Sequence, residues 1–189
     1  MNINEDIKNA FDTLVAGGLI LYPTDTIWGI GCDATNEDAV RRVYELKKRI
    51  DSKALITLVD TPVKVDFYVD SVPEIAWDLI DVAEKPMTII YDKGRNLAPN
   101  LMADDGSVAI RVTNEEFSKK LCARFRKAIV STSANVSNDS APLNFGEISD
   151  EIKEGVDYIV KYRQDETDCH SASSIIKLGK SGEVKIIRQ

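Results

Sequence analysis

The stretch "LYPTDTIWGIGCDATN", residues 21–36, decides how the chain is read. It leaves the apolar run "LILY" (19–22), turns polar at Thr24-Asp25-Thr26, passes Gly29 and Gly31, and enters a helical pattern after Thr35. A short apolar run bounded by turn residues reads as a buried strand, so this stretch reads as a joint between a strand and a helix. Two accounts of the joint stand open. Its hydroxyls and carboxylate bond nearby backbone and shape a strand-end turn, or they hold a small polar ligand. Gly29 and Gly31 let the backbone pass close to something, but the third glycine of a dinucleotide fingerprint is missing and no P-loop occurs.

Outward from the joint, strands and helices alternate. Residues 3–15 place Ile3, Ile7, Phe11, Leu14 and Val15 on one helical face, and Gly17-Gly18 ends that helix. "TNED" reads as a capping box from Thr35 to Asp38. The helix it opens carries Val40, Val43, Tyr44 and Leu46 inward and ends in Lys47-Lys48-Arg49, where cations complement the helix dipole. Strands are expected at 54–59, 87–91, 108–112, 128–132 and 157–162, and helices at 72–83, 114–126 and 147–154. A closing hairpin turns near Lys180-Ser181-Gly182. The pattern argues for an α/β domain with a mixed sheet, spanning residues 1–189 as one unit.

The chain has 189 residues, with 24 Lys and Arg against 31 Asp and Glu, a net charge of −7. A dedicated nucleic-acid binder usually shows a basic excess, so any phosphate site here is a local cluster on an acidic body. No apolar run approaches the roughly 18 residues of a membrane span. The N-terminus carries Glu5 and Asp6 and no apolar core, which does not read as a signal peptide. Cys32, Cys122 and Cys169 are odd in number and far apart, as expected of reduced thiols in a cytoplasmic protein.

Three further pieces carry chemistry. In "LKKRIDSK" (46–53), Lys47, Arg49 and Lys53 together would neutralise a polyphosphate, Lys as a point charge and Arg as a fork. "STSAN" (131–135) ends an apolar strand, where ligands of open α/β sheets collect, although Ser and Asn also make turns without ligands. Arg111 stands at the end of "VAIRV", where a surface ion pair would account for it equally well. His170 neighbours Cys169, and adjacent residues rarely converge on one metal or form a dyad. No metal cage and no covalent nucleophile is assigned, and Trp28 and Trp77 are read as packing residues.

In order along the chain, "YPTDTIWGIGCDA", "LKKRIDSKALITLV", "KPMTIIY", "GSVAIRV", "STSANVS", "SSIIKL" and the terminal "IIR" resemble the YrdC family of threonylcarbamoyl-AMP synthases. The resemblance covers roughly residues 8–189. It implies a YrdC-like twisted mixed sheet with flanking helices and a concave, locally positive ligand cavity. It implies a nucleotidyltransferase joining L-threonine, bicarbonate and ATP, with Mg²⁺ accompanying ATP, into L-threonylcarbamoyl-AMP and pyrophosphate. Partner proteins then modify adenosine 37 of tRNA, and the family association with double-stranded RNA adds a weak RNA contact.

The same resemblance assigns residues. Thr24, Thr26, Arg111, Ser131 and either Ser173 or Ser174 would hold threonine, with Gly29 and Gly31 bending the chain around it. Arg49, Lys53, Ser107, Ser133, Asn135 and Arg188 would face ATP, and Lys47 with Arg49 would form the catalytic Lys-x-Arg pair. The chain departs from the family pattern at Glu84-Lys85-Pro86-Met87-Thr88, at Asn138 in place of a glycine, at Ala141 in place of a hydroxyl residue and at Lys177 in place of an acidic one. A nucleotide- or RNA-binding module without catalysis, or a paralogue with another substrate, are the competing readings.

Overall fold

The computed structural model describes residues 2–49, 55–167 and 172–189. Lys53, Cys169 and His170 lie outside them. Nine strands form one sheet in the order β7-β1-β2-β6-β3-β5-β4-β8-β9. The strands are β1 (Ile20–Tyr22), β2 (Gly29–Gly31), β3 (Ile56–Val59), β4 (Met87–Tyr91), β5 (Val108–Val112), β6 (Ile129–Ser133), β7 (Tyr158–Ile159), β8 (Ser174–Leu178) and β9 (Val184–Arg188). The pairs β1–β7, β3–β5 and β4–β8 are parallel and the others antiparallel, so the sheet is mixed as expected.

Among the described residues, six α-helices flank the sheet: α1 (Ile3–Val15), α2 (Glu37–Leu46), α3 (Val63–Tyr68), α4 (Ile75–Val82), α5 (Glu116–Phe125) and α6 (Asp150–Glu154). α1 begins at Asn2, whose side chain accepts from the Asn4 amide, and ends where Gly17 takes the left-handed conformation at φ 77°. Ile7, Ala10 and Leu14 are buried, and Phe11 meets Phe125 of α5 edge-on at 6.3 Å. Val15, expected on that face, is exposed, because the buried face runs through Ile7, Ala10 and Leu14 and the next helical step, about 100°, turns Val15 off it.

Four other expectations are corrected. The 21–36 stretch is not a strand-to-helix joint, since residues 29–31 form β2, hydrogen-bonded to β1 and β6. The cap of α2 is Asn36, which accepts from the Ala39 amide, while the Thr35 hydroxyl and amide both donate to Asp33. Thr35 is therefore one residue too early to cap. α2 closes at Leu46, so Lys47, Lys48 and Arg49 lie beyond its last turn. α3 went unread because six residues are too few to establish a helical period.

Register decides which side chains share a face. Ile56 pairs with Ala109 and Ser131, Gly29 pairs with Ser133, and Thr88 pairs with Ile175. Strand alternation then puts Ser107 and Arg111, Ser131 and Ser133, and Ser173 on one face, and Ile110, Val112, Met87 and Ser174 on the other.

Candidate active site

The first face holds a cavity of about 240 Å³ lined by Thr26, Arg49, Arg111, Ser131, Ser133, Ser173 and Arg188, together with Trp28, Gly29, Thr132 and apolar neighbours. Three guanidinium groups line it and no carboxylate does among the described residues. A positive concavity thus sits on a chain of net charge −7.

A larger cavity of about 700 Å³ opens on the opposite face, under α3 and α4. Asp25, Asp60, Asp78, Asp81 and Glu84 line it, against Lys85 and Lys119. Its charge has the wrong sign for a phosphate, and volume alone does not make it the site.

Arg49 reaches the smaller cavity through the way α2 ends. The Lys48 amide donates to Glu45 at 3.0 Å and the Arg49 amide to Tyr44 at 2.9 Å, while Lys48 adopts φ 49°. This is a Schellman ending with a lysine in the left-handed position. It reverses the chain and turns Arg49 toward β6. Burial holds the Arg49 guanidinium below its ordinary range.

Lys47 is itself buried, and its ammonium donates to the carbonyls of Ser133 and Asn135, both at 2.6 Å. The Ser137 amide donates back to the Lys47 carbonyl at 2.8 Å. Lys47 is thus a strut under the "STSAN" loop, and it is not among the residues lining the cavity. Burial, with the Arg49 charge adding to it, lowers its pKa to about 8.

Thr24 is buried one step behind the cavity. Its hydroxyl lies 3.0 Å from that of Thr26, donates to the Ile27 carbonyl at 2.8 Å and accepts from the Thr26 amide at 3.1 Å. Thr26 lines the cavity and Thr24 sets its rotamer. The turn account thus describes Thr24, while Thr26 is placed where the ligand account would need it.

The two glycines are explained by their neighbours rather than by a bend around a ligand. A Cβ on Gly31 would stand 2.6 Å from the Tyr22 ring and 2.9 Å from the Val130 carbonyl. One on Gly29, which lines the cavity, would meet the Thr132 carbonyl at 3.2 Å.

Arg111 is 3% exposed and pairs with Asp25 at 3.0 Å. Ser173 accepts through its carbonyl from Arg188 Nε at 2.9 Å, and its hydroxyl meets that of Thr88 at 2.8 Å. Ser174, the other candidate at this position, pairs with Met87 in register and so faces away from the cavity. Ser107 and Asn135 do not line the cavity either. The Ser107 amide donates to Asp105, and the hydrogen bonds from Ser107 hold that carboxyl down to about 2. The Asn135 side-chain Nδ2 donates to the Val136 and Asp139 carbonyls, while its Oδ1 is buried without a partner among the described residues.

Two of the departures from the family pattern fit locally. Asn138 takes φ 76°, a conformation that asparagine tolerates where glycine is usual. Lys177 pairs with Asp105 at 3.3 Å. Burial pushes the thiols of Cys32 and Cys122 far above their ordinary range, which leaves neither as a nucleophile. No three His, Cys, Asp or Glu converge as a metal set among the described residues.

Trp28 and Thr132 line the cavity without having been singled out for it, and Asp25 pairs with one of its arginines. Trp28 carried no periodic signal of its own; it packs on Phe145 at 4.9 Å and presents one edge to the cavity. Asp25 was legible only as a turn residue, because its partner lies 86 positions away in β5 (111 minus 25).

A sheet-face cavity with three arginines, a row of hydroxyls and, among the described residues, no carboxylate has the charge and the donors that suit a small anion. The model of the Sua5/YciO/YrdC family, described as "Telomere recombination", matches residues 12–189, and the chain belongs to that family. It is 33% identical over 163 residues to a threonylcarbamoyl-AMP synthase of Pseudoalteromonas translucida (strain TAC 125), covering 85% of this chain and 87% of that one. It is 42% identical over 121 residues to one of Stutzerimonas stutzeri (strain A1501), covering 64% and 65%.

Among solved structures it is similar to P. abyssi Sua5. A double variant of that protein superposes with a TM-score of 0.88 at 24% identity, covering 96% of this chain and 52% of that one. The complex of P. abyssi Sua5 with L-threonine gives 0.80 at 24% identity, covering 94% and 52%. The chain thus spans about half the length of the solved Sua5 chains it matches. No described helix is long and apolar enough to cross a membrane.

Proposed function

We propose that this protein is a nucleotidyl-transferring enzyme that joins L-threonine, bicarbonate and ATP into L-threonylcarbamoyl-AMP and releases pyrophosphate. The product serves formation of threonylcarbamoyladenosine at position 37 of tRNA. The observation that carries this reading is the cavity with Arg49, Arg111 and Arg188 beside Thr26, Ser131, Ser133 and Ser173, with no carboxylate in its lining among the described residues. The family membership, the names of the relatives and the threonine complex of P. abyssi Sua5 support it.

Threonine nitrogen and bicarbonate form a carbamate with loss of water. A carbamate oxygen attacks the α-phosphorus of ATP, the α–β anhydride bond breaks, and pyrophosphate leaves. The step needs no protein nucleophile. It needs two anions held against each other and the charge of the leaving group stabilised, which is work for guanidinium groups and hydroxyls. Arg111 takes the threonine carboxylate, with Thr26, Ser131 and Ser173 around the amino acid. Arg49, Ser133 and Arg188 face the nucleotide. Lys47 and Asn135 act from behind by shaping the loop that carries Ser133, and Ser107 stands beside the nucleotide end of β5. Mg²⁺ would accompany ATP and would help neutralise the charge of the leaving pyrophosphate. The enzyme works in the cytoplasm with tRNA-modifying partner proteins, and its acidic surface keeps direct RNA contact weak.

The deciding experiment is pyrophosphate release with ATP, Mg²⁺, bicarbonate and L-threonine, each omitted in turn. Release that requires both threonine and bicarbonate, with the carbamoyl-adenylate mass present, is the expected result. Saturable ATP binding without release would instead make the protein a binding module or a paralogue with another substrate.

A further inference from the structure

Arg111 is an arginine inside a sheet, and such a group needs both a countercharge and a fixed orientation. One comes from Asp25, whose Oδ1 lies 3.0 Å from Arg111 Nη2 with the two side chains 12% and 3% exposed. Burial outweighs the attraction on both partners. The Asp25 carboxyl sits above its ordinary range and the Arg111 guanidinium below it. The pair is therefore held by the fold around it and not by its own energy.

Asp25 is in turn placed by its loop. Arg163 Nη1 donates to the Thr24 carbonyl at 3.2 Å and lies 3.4 Å from Glu115, tying the residue before Asp25 to the start of α5. Arg111 lines the smaller cavity, and its Nε has no hydrogen-bond partner among the described residues. Asp25 lines only the larger cavity on the other face. The 3.0 Å contact is an ion pair and not a hydrogen bond, since Asp25 Oδ1, like Arg111 Nε, is buried without a hydrogen-bond partner among the described residues; the carboxylate faces the guanidinium from outside the site, and Arg111 also lines the cavity within it.

We infer that Asp25 is a positioning residue for Arg111, its charge fixing the guanidinium in the cavity wall so that the side Arg111 turns to the cavity meets the carboxylate of the amino-acid substrate. The inference rests on the proposed function and names what sets amino-acid affinity within it. Asp25 touches no substrate. Its effect passes entirely through Arg111, and it selects an amino acid with a free carboxylate over an amino alcohol of the same side chain.

The test uses the purified full chain and measures KM for L-threonine, KM for ATP and kcat. Wild-type turnover that depends on threonine tests the proposed function. The variants test the inference. Asp25→Asn is expected to raise the threonine KM at least ten-fold, with the ATP KM within two-fold and kcat within three-fold of wild type. In an Arg111→Lys background the same substitution should change the threonine KM less than two-fold, because the group it positions has gone. A ten-fold loss that persists in that background, an equal rise in both KM values, or an unchanged threonine KM would each overturn the inference. If Asp25→Asn does not fold cooperatively, Asp25→Glu keeps the charge and moves the carboxylate by one methylene. The same KM split is then expected, and its absence overturns the inference equally.

Discussion

Lys47 and Arg49 stand two positions apart and have different work. Arg49 faces the cavity, while the Lys47 ammonium is held by two carbonyls of the "STSAN" loop. Arg49→Ala is expected to cut pyrophosphate release roughly 10²-fold or more, the usual scale for removing a charge-stabilising donor. The urea midpoint should stay near wild type, and near-normal turnover would remove Arg49 from the proposed role. Lys47 makes a prediction about stability. Its pKa falls from 10.5 to about 8 on folding. Between those values the unfolded chain holds the proton and the folded protein does not, so the contribution of Lys47 to stability rises with pH. Below pH 8 both states are charged and the contribution is flat. The unfolding free energy of wild type relative to Lys47→Met should therefore shift in favour of wild type by about 2 kcal/mol between pH 7.5 and 9.5. Urea melts at the two pH values measure it, and an unchanged difference would mean that the buried lysine titrates as it does in water.

Among the elements, the end of α2 matters most, because three residues there decide where Arg49 points. The left-handed Lys48 costs about 1 kcal/mol or more relative to a residue without a Cβ. Its exposed pair with Glu151 at 2.6 Å returns little of that. Lys48→Gly is thus expected to leave stability unchanged or raise it by up to about 1 kcal/mol. Lys48→Val, β-branched at positive φ, should lower stability by more than about 1 kcal/mol and also lower turnover by misdirecting Arg49. Thermal melts and pyrophosphate release on both variants check this. A valine variant with normal stability and turnover would show that the helix ending does not aim the arginine.

For the whole molecule, the weak joint is where the edge strand β7 and the loop after it meet α1. Asp6 closes it. Its carboxylate accepts from the Tyr158 hydroxyl at 2.6 Å, the Tyr162 amide at 2.8 Å and the Lys161 amide at 3.2 Å, across more than 150 residues of chain. Asp6→Ala leaves these donors without their acceptor, at a cost of about 3 kcal/mol. Asp6→Asn, which keeps one acceptor oxygen, should lose less. Urea denaturation checks the order, and equal losses for both would mean that charge and not acceptor number is what the joint requires. The same loop continues to Arg163, which holds the Thr24 carbonyl, so the joint also steadies one wall of the active-site region.

Much of this was legible from local pattern alone. The apolar runs of β3, β4, β5 and β6 announced a mixed sheet, and Ile56, Arg111, Ser131 and Ser133 of β3, β5 and β6 reach the cavity because they share one face in register, while Met87 and Tyr91 of β4 line the larger one. The helix caps were less legible, as the one-residue error at Thr35 and Asn36 shows, since Ser, Thr and Asn cap by nearly the same chemistry. β2 was hidden because three residues, two of them glycine, carry no strand period; their glycines answer to the Tyr22 ring and the β6 carbonyls, which the linear pattern does not place nearby. Choosing Ser173 over Ser174 required the register with β4, because one residue of shift exchanges the faces of a strand. The sequence by itself determined the residue types that the cavity uses and the strands that carry them, since periodicity and turn chemistry act over a few residues. Only the tertiary structure decided that Lys47 braces a loop, that Thr24 stands behind Thr26 and that Asp25 holds Arg111, because each depends on a partner brought near by packing and not by position in the chain.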